Sequence, residues 1–508
     1  MTRRSMVLVL ASAALIGLFA AVTYCVVPIA LNYTAYAMSL GAVSALIAII
    51  VVRQLVNHRG LTIHFWAMFV ILLMGYYTKL GILALLYGSA APALVELAGE
   101  DVASSLGNTP VLIASYEVTT VSFLGFGLAV LVITTLFSAR NTGSSKIGHP
   151  VAYGRSVRPH FVRRLLGLTI LIYAVSVAVQ LSYGIGLGSL RQEELPFRLA
   201  GILVAIQRYV VPLAFLFVIW GSDRGRLVRT GKTAVMLYLL YGIIYGLITT
   251  SKAGLIFVVV SLAGLWLTAG TLSAGRRWLI VGGLLFSMVF SGYLSGIRLL
   301  RADPTMSVAD TIVVPLMTAS FLVDSGVQQT DAPLLLLAIS LRSVGIDALL
   351  NIVTYDPSFS LDRLTSVLTG ETSLDQIYGR DVLGLNPDSL TGTAFAPSLF
   401  GALYILTCSI WATGLLVFLY TIVWHAVFRF VDRSSMVLRP ALLAILLLSA
   451  LLYTSEGTIE TIPFTLGLIS VVGMISEYVI RGMVGKAAIN DLGGGLRSGV
   501  RRGIALRR

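Results

Sequence analysis

About twelve runs of mostly apolar residues, each close to twenty long, divide this 508-residue chain. They fix the solvent in which it can fold. A helix rising 1.5 Å per residue needs about 20 apolar residues to cross a hydrocarbon layer of about 30 Å. The runs lie near 5–27, 34–52, 61–87, 111–137, 165–186, 199–220, 233–250, 254–272, 278–295, 397–424, 440–455 and 461–480. With 57% hydrophobic and only 12% charged residues, the chain reads as an all-α polytopic membrane protein. The first run follows Thr2-Arg3-Arg4. It is long for a signal-peptide core and lacks a convincing cleavage site, so it is expected to stay as an anchor. The two cysteines, Cys25 and Cys408, suggest no disulfide or metal framework.

The net charge of +13 could suggest nucleic acid, but its distribution points to topology instead. With the amino terminus inside, 26 of the 36 Lys and Arg fall in cytoplasmic segments. These include 140–164, 224–232, Arg276-Arg277 and the tail 481–508. That is the positive-inside pattern, and it implies contact with anionic lipid rather than with nucleic acid. An even number of spans then leaves both termini cytoplasmic. The 138–164 linker reads as mobile. The tail, with Gly493-Gly494-Gly495 before its basic residues, is expected to be disordered or to lie on lipid headgroups.

One segment breaks the series of spans: the stretch 296–396, which the charge pattern puts outside the cytoplasm. It divides the chain into a bundle of about nine spans (1–295), a large extracytoplasmic loop (296–396), about three further spans (397–480) and the basic tail (481–508). Within the loop, 308–323 and 333–353 are apolar enough to enter the membrane. They are expected to form re-entrant or interfacial helices, the alternative being two more spans and fourteen in all. From Tyr355 to Pro397 the loop is rich in Asp, Ser, Thr, Gly and Pro and is expected to face water.

Charges inside spans cost about 2.5–3.5 kcal/mol at mid-helix, so they mark pairs or functional sites. Glu117 in the fourth span and Arg208 in the sixth lie at comparable depths. They could pair with each other, or Arg208 could reach an outward-open cavity and bind an anion. Lys79, near the outer end of the third span, is expected to snorkel. A second group gathers on the external side: Arg298 and Arg301 in "SGIRLLR", Lys252 in "TTSKAGL", Arg342 in the loop, and Arg191 and Arg198 in another turn. They could pair with nearby acids such as Glu193, Glu194 and Asp303. As a set, with Arg208, they suit a diphosphate, because arginine pairs bidentately with phosphate oxygens.

All five histidines, His58, His64, His149, His160 and His425, fall on the cytoplasmic side of this topology. External acid–base chemistry would therefore use a carboxylate: Glu456, Glu460 or Asp347, with Asp303 and Glu117 as further candidates. Glu456 and Glu460 are four apart and would share a face if their turn were helical; otherwise they belong to a solvated turn. Tyr238, Tyr241 and Tyr245 form a helical stripe that reads as packing. No HExxH, nucleotide-binding or metal-cluster pattern occurs, so no cofactor is expected.

With about a dozen spans, one large external loop, the short "TTSKAGL" turn and the small-residue, aromatic stretch "SLFGALYILTCSIWATG", the chain resembles the Wzy-like O-antigen and exopolysaccharide repeat-unit polymerases. Lys252 stands where that family usually has arginine. The resemblance implies a metal-independent glycosyltransferase at the outer face of a bacterial inner membrane. Its substrates would be oligosaccharides linked to undecaprenyl diphosphate, and its partners membrane lipids, a chain-length regulator and a flippase. The rival readings are an O-antigen ligase, which typically uses an external histidine, and a secondary transporter or lipid flippase.

Overall fold

The structure is a computed structural model. It describes residues 33–56, 63–83, 100–136, 159–183, 203, 206–249, 253–300, 345–384, 397–433 and 439–478, with short gaps inside several of these runs. Among them every regular element is helical. Outside them lie the first apolar run, most of the 138–164 linker, the 308–323 segment, the tail, and Arg191, Arg198, Lys252, Arg301, Arg342 and Glu460.

In chain order the helices are α1 (Tyr33–Val56), α2 (Ile63–Leu73), α3 (Glu100–Gly107), α4 (Thr109–Leu136), α5 (Pro159–Ser182), α6 (Val211–Arg224), α7 (Val228–Thr249), α8 (Ala253–Thr268) and α9 (Ala274–Leu300). The loop contributes α10 (Ile346–Tyr355), α11 (Leu361–Thr369) and α12 (Leu374–Ile377). Then follow α13 (Leu399–Thr407), α14 (Ile410–Arg433) and α15 (Arg439–Glu456). Five of them, α4, α5, α7, α14 and α15, are long and apolar enough to cross a membrane. The protein is a multi-pass membrane protein.

α15 is the hub. Every residue from Ala441 to Thr454 is buried, against α2, α6, α8 and α14. A membrane helix apolar on all sides can be enclosed by others without losing a polar face. α4 packs along α14 at very close range. A Cβ on Gly125 would overlap the carbonyl of Gly414, and one on Gly414 would come within 2.7 Å of Val121. Glycine here lets two backbones touch, which membrane helices exploit for dispersion contact.

Contacts between helices sort their ends into two groups. At one end, Ser39 of α1 bonds Tyr77 at 2.7 Å and Thr120 of α4 at 2.6 Å. There too, Gln207 donates to Gln180 of α5 at 3.0 Å. At the other end, His64 at the start of α2 meets His425 of α14 at 3.3 Å. Asp223, closing α6, accepts from Arg276 of α9 at 2.6 Å, and Arg276 also lies over the ring of Trp266. The loop helices pack at the first end, here the loop end; the second is the basic end.

The structure corrects the sequence reading of 397–424 as one continuous span. The helix breaks at Cys408, which is left-handed (φ 49°), and restarts at Ile410. Non-helical backbone at membrane depth needs protein partners for its freed polar groups, and these are present. Arg363 of α11 donates to the carbonyl of Ile405 at 3.2 Å, and Thr413 to that of Ser409 at 2.8 Å. α13 also shares an apolar core with the loop helices: Ala348, Ile352, Val367, Leu374, Ile377 and Tyr378 close over Ala402, Ile405 and Leu406. α10 has ten residues, of which the first eight belong to the 333–353 segment; 333–344 lie outside the described residues.

Candidate functional site at the loop end

Three π-helical turns occur among the described residues: Met74–Thr78, Ile206–Val210 and Tyr378–Val382. Such turns widen a helix by one residue, re-aim its side chains, and recur at functional positions. Here the first runs directly into Lys79 and the second contains Arg208. Each cation meets a carboxylate at the loop end.

Tyr76, in the first turn, ties the surrounding backbones together. Its hydroxyl accepts from the Phe400 amide at 3.0 Å and shares a 2.7 Å bond with Ser398 Oγ, which donates to the Gly345 carbonyl at 3.3 Å. The Phe400 ring stacks on Tyr76 at 4.3 Å. Gly75 and Gly345 let the loop backbone sit directly on α2; a Cβ on Gly345 would strike the Gly75 carbonyl. Ser398 itself holds φ 61° and ψ 163°, a conformation that costs a residue with a Cβ about 1–3 kcal/mol. A Cβ on Gly457 would strike its carbonyl, and Gly457 (φ 78°) directly follows α15. One residue thus joins α2, the loop, α13 and the end of α15.

Lys79 is 2% exposed and its ammonium lies 2.6 Å from Asp347. Sequence reasoning expected Lys79 to snorkel. Instead α10 covers it and brings a carboxylate, in the first turn of a helix where the dipole favours negative charge. Asp347, a candidate base, is therefore also the counter-charge of a buried cation.

Arg208 is positioned through its backbone. Tyr241 donates to the Gln207 carbonyl at 2.6 Å, and Gln207 in turn donates to Ser176 at 3.1 Å. The side chain lies 5.7 Å from the Phe257 ring centroid. Its carboxylate neighbour is Glu456, at 3.7 Å. The pairing with Glu117 is thus overturned, because Glu117 stands exposed on α4. α15 ends at Glu456, followed by Gly457 with φ 78°, and Glu460, four residues on, lies outside the described residues. Glu456 is not in an open solvated turn; it is 28% exposed and paired.

The tyrosine stripe does pack: Tyr238, Tyr241 and Tyr245 stack at 5.7 and 5.9 Å. With Arg208, Gly254 and Phe257 the three also line a cavity of about 10 Å³, room for one water molecule. Sequence reasoning missed their link to Arg208; their seven-residue helical repeat was the available signal. Arg298 lies in the last turn of α9. No group of three potential metal ligands occurs among the described residues. The described histidines, His64, His160 and His425, sit at the basic end, where His64 and His425 stack on Phe428 and Phe65. No protein-family model, curated protein or solved structure matches this chain.

Proposed function

We propose that this protein joins lipid-diphosphate-linked oligosaccharide repeat units at the outer face of a bacterial inner membrane. The observation that carries this reading is the pair of sites at the loop end, Arg208 with Glu456 and Lys79 with Asp347, beneath the loop helices. The loop end is read as external because 26 of 36 basic residues fall on the opposite side.

In the reaction, an acceptor hydroxyl attacks the anomeric carbon of the donor glycan. The new C–O bond forms as the bond to the diphosphate breaks, and the lipid diphosphate leaves as an anion. Arg208 would stabilise the charge developing on it, with Lys252, Arg298, Arg301 and Arg342 as the further cations that the sequence puts on the external side. The hydroxyl proton passes to a carboxylate, for which Glu456 is the better candidate, since Asp347 is committed to a buried ammonium. No described histidine lies at this end, which disfavours the ligase reading.

Purified protein in bilayers, given lipid-linked repeat units, is expected to release lipid diphosphate and form a ladder of lengthened glycans. Unchanged single repeats would overturn the polymerase. Sidedness has its own test. Ser358→Cys should react with an impermeant thiol reagent outside intact cells, and Ser144→Cys should not; labelling of Ser144→Cys would invert the topology.

One observation favours a secondary transporter as a second reading. Discontinuous helices such as α13 and α14, beside charges within spans, recur at transporter substrate sites. That reading predicts solute movement with no change in glycan length.

A further inference from the structure

The two ion pairs at the loop end are built differently. Lys79 and Asp347 touch at 2.6 Å with the lysine sealed from solvent. Arg208 and Glu456 are 3.7 Å apart, beyond hydrogen-bonding distance, and 30% and 28% exposed. The guanidinium offers five donors, yet its Nε is buried without a hydrogen-bond partner among the described residues. Glu456 is poorly placed on its own account. It is the last residue of α15, where the helix dipole opposes a carboxylate. Arg208 is also held independently of Glu456, by the π-helical turn fixed by Tyr241 and by the face of Phe257. The carboxylate can therefore leave without the cation losing its place.

We propose that Glu456 is a displaceable counter-ion: a phosphate or diphosphate group takes its place on Arg208, and the freed carboxylate is left beside the bound anion. The proposal rests on reading Arg208 as a diphosphate site. It adds that binding of the leaving group is what makes the base available, so that deprotonation is coupled to occupancy. The anion could be a lipid headgroup or a soluble phosphate, since both present the same oxygens to the guanidinium.

The test is binding, not turnover. The full chain in phosphatidylcholine nanodiscs is titrated with pyrophosphate. Glu456→Gln, which removes the competing charge and keeps the shape, is expected to bind about fivefold more tightly, the order of a partly exposed pair. Glu456→Ala, a second variant should the first not fold, is expected to do the same. Arg208→Gln is expected to lose the binding. Affinity that is unchanged or weaker in the folded Glu456 variants would overturn the proposal, as would wild-type affinity in Arg208→Gln. Repeating the titration in discs containing phosphatidic acid separates the sources. Weaker pyrophosphate binding there assigns the site to a lipid phosphate, and unchanged binding to a soluble one. Because nothing is polymerised, the outcome is independent of whether the protein lengthens glycans.

Discussion

Cells whose only copy carries Arg208→Gln are expected to accumulate single lipid-linked repeats and to lose long-chain polymer, with the polymerisation rate falling about 10²–10³-fold. Removing one preorganised donor from a site where negative charge develops costs that much in other enzymes. The geometry suits so large an effect. Arg208 is fixed through its backbone, lies against the Phe257 ring and has no hydrogen-bond partner for its Nε among the described residues, so it spends little reorganisation on meeting a new anion. Arg208→Lys keeps the charge but loses the planar fork, and is expected to retain part of the activity. Arg298→Ala and Arg342→Ala should act in the same direction if those cations share the leaving group. The measurement is a glycan-length profile at matched expression. Normal long-chain polymer in Arg208→Gln cells would remove Arg208 from the mechanism. Failed solute movement with normal chain length would favour the transporter.

The second large effect concerns the buried pair. Lys79→Met takes from the Asp347 carboxylate of α10 the ammonium 2.6 Å away, and Asp347→Asn takes from the buried ammonium its carboxylate; each is expected to cost about 3–5 kcal/mol. The double variant Lys79→Met/Asp347→Leu replaces both charges by apolar groups and is expected to recover most of that loss, because the desolvation of both ions disappears with them. Thermal unfolding of the purified variants reads the stability. Activity of the double variant then separates two roles for Asp347. If it serves only to anchor the loop, restored folding restores polymerisation. If it is the base, the refolded double variant stays inactive, and Glu456 loses that assignment. A double variant no more stable than the singles would contradict the account of the pair.

The apolar runs foretold the helices well because partition into a membrane is a local property, summed over about twenty neighbouring residues. α4, α5, α7, α14 and α15 all fall on them. Local sequence also singled out Arg208, Asp347 and Glu456, because an ionisable group amid apolar or membrane-facing residues is conspicuous whatever it touches. Their partners were not legible. Glu117 looked as suitable for Arg208 as any acid, and only the packing of α15 against α6 and α8 brings Glu456 there instead. Lys79 reads as a snorkelling residue until a loop helix 268 positions later covers it. The break at Cys408 lies in a run that carries no charge and whose one proline, Pro397, is its first residue, and Arg363, Thr407 and Thr413 supply partners for the interrupted backbone. Sequence by itself determined that these five helices are apolar enough to cross a membrane, since hydrocarbon judges each segment alone. Tertiary structure decided which charge answers which, since that depends on distances between residues the chain keeps hundreds of positions apart.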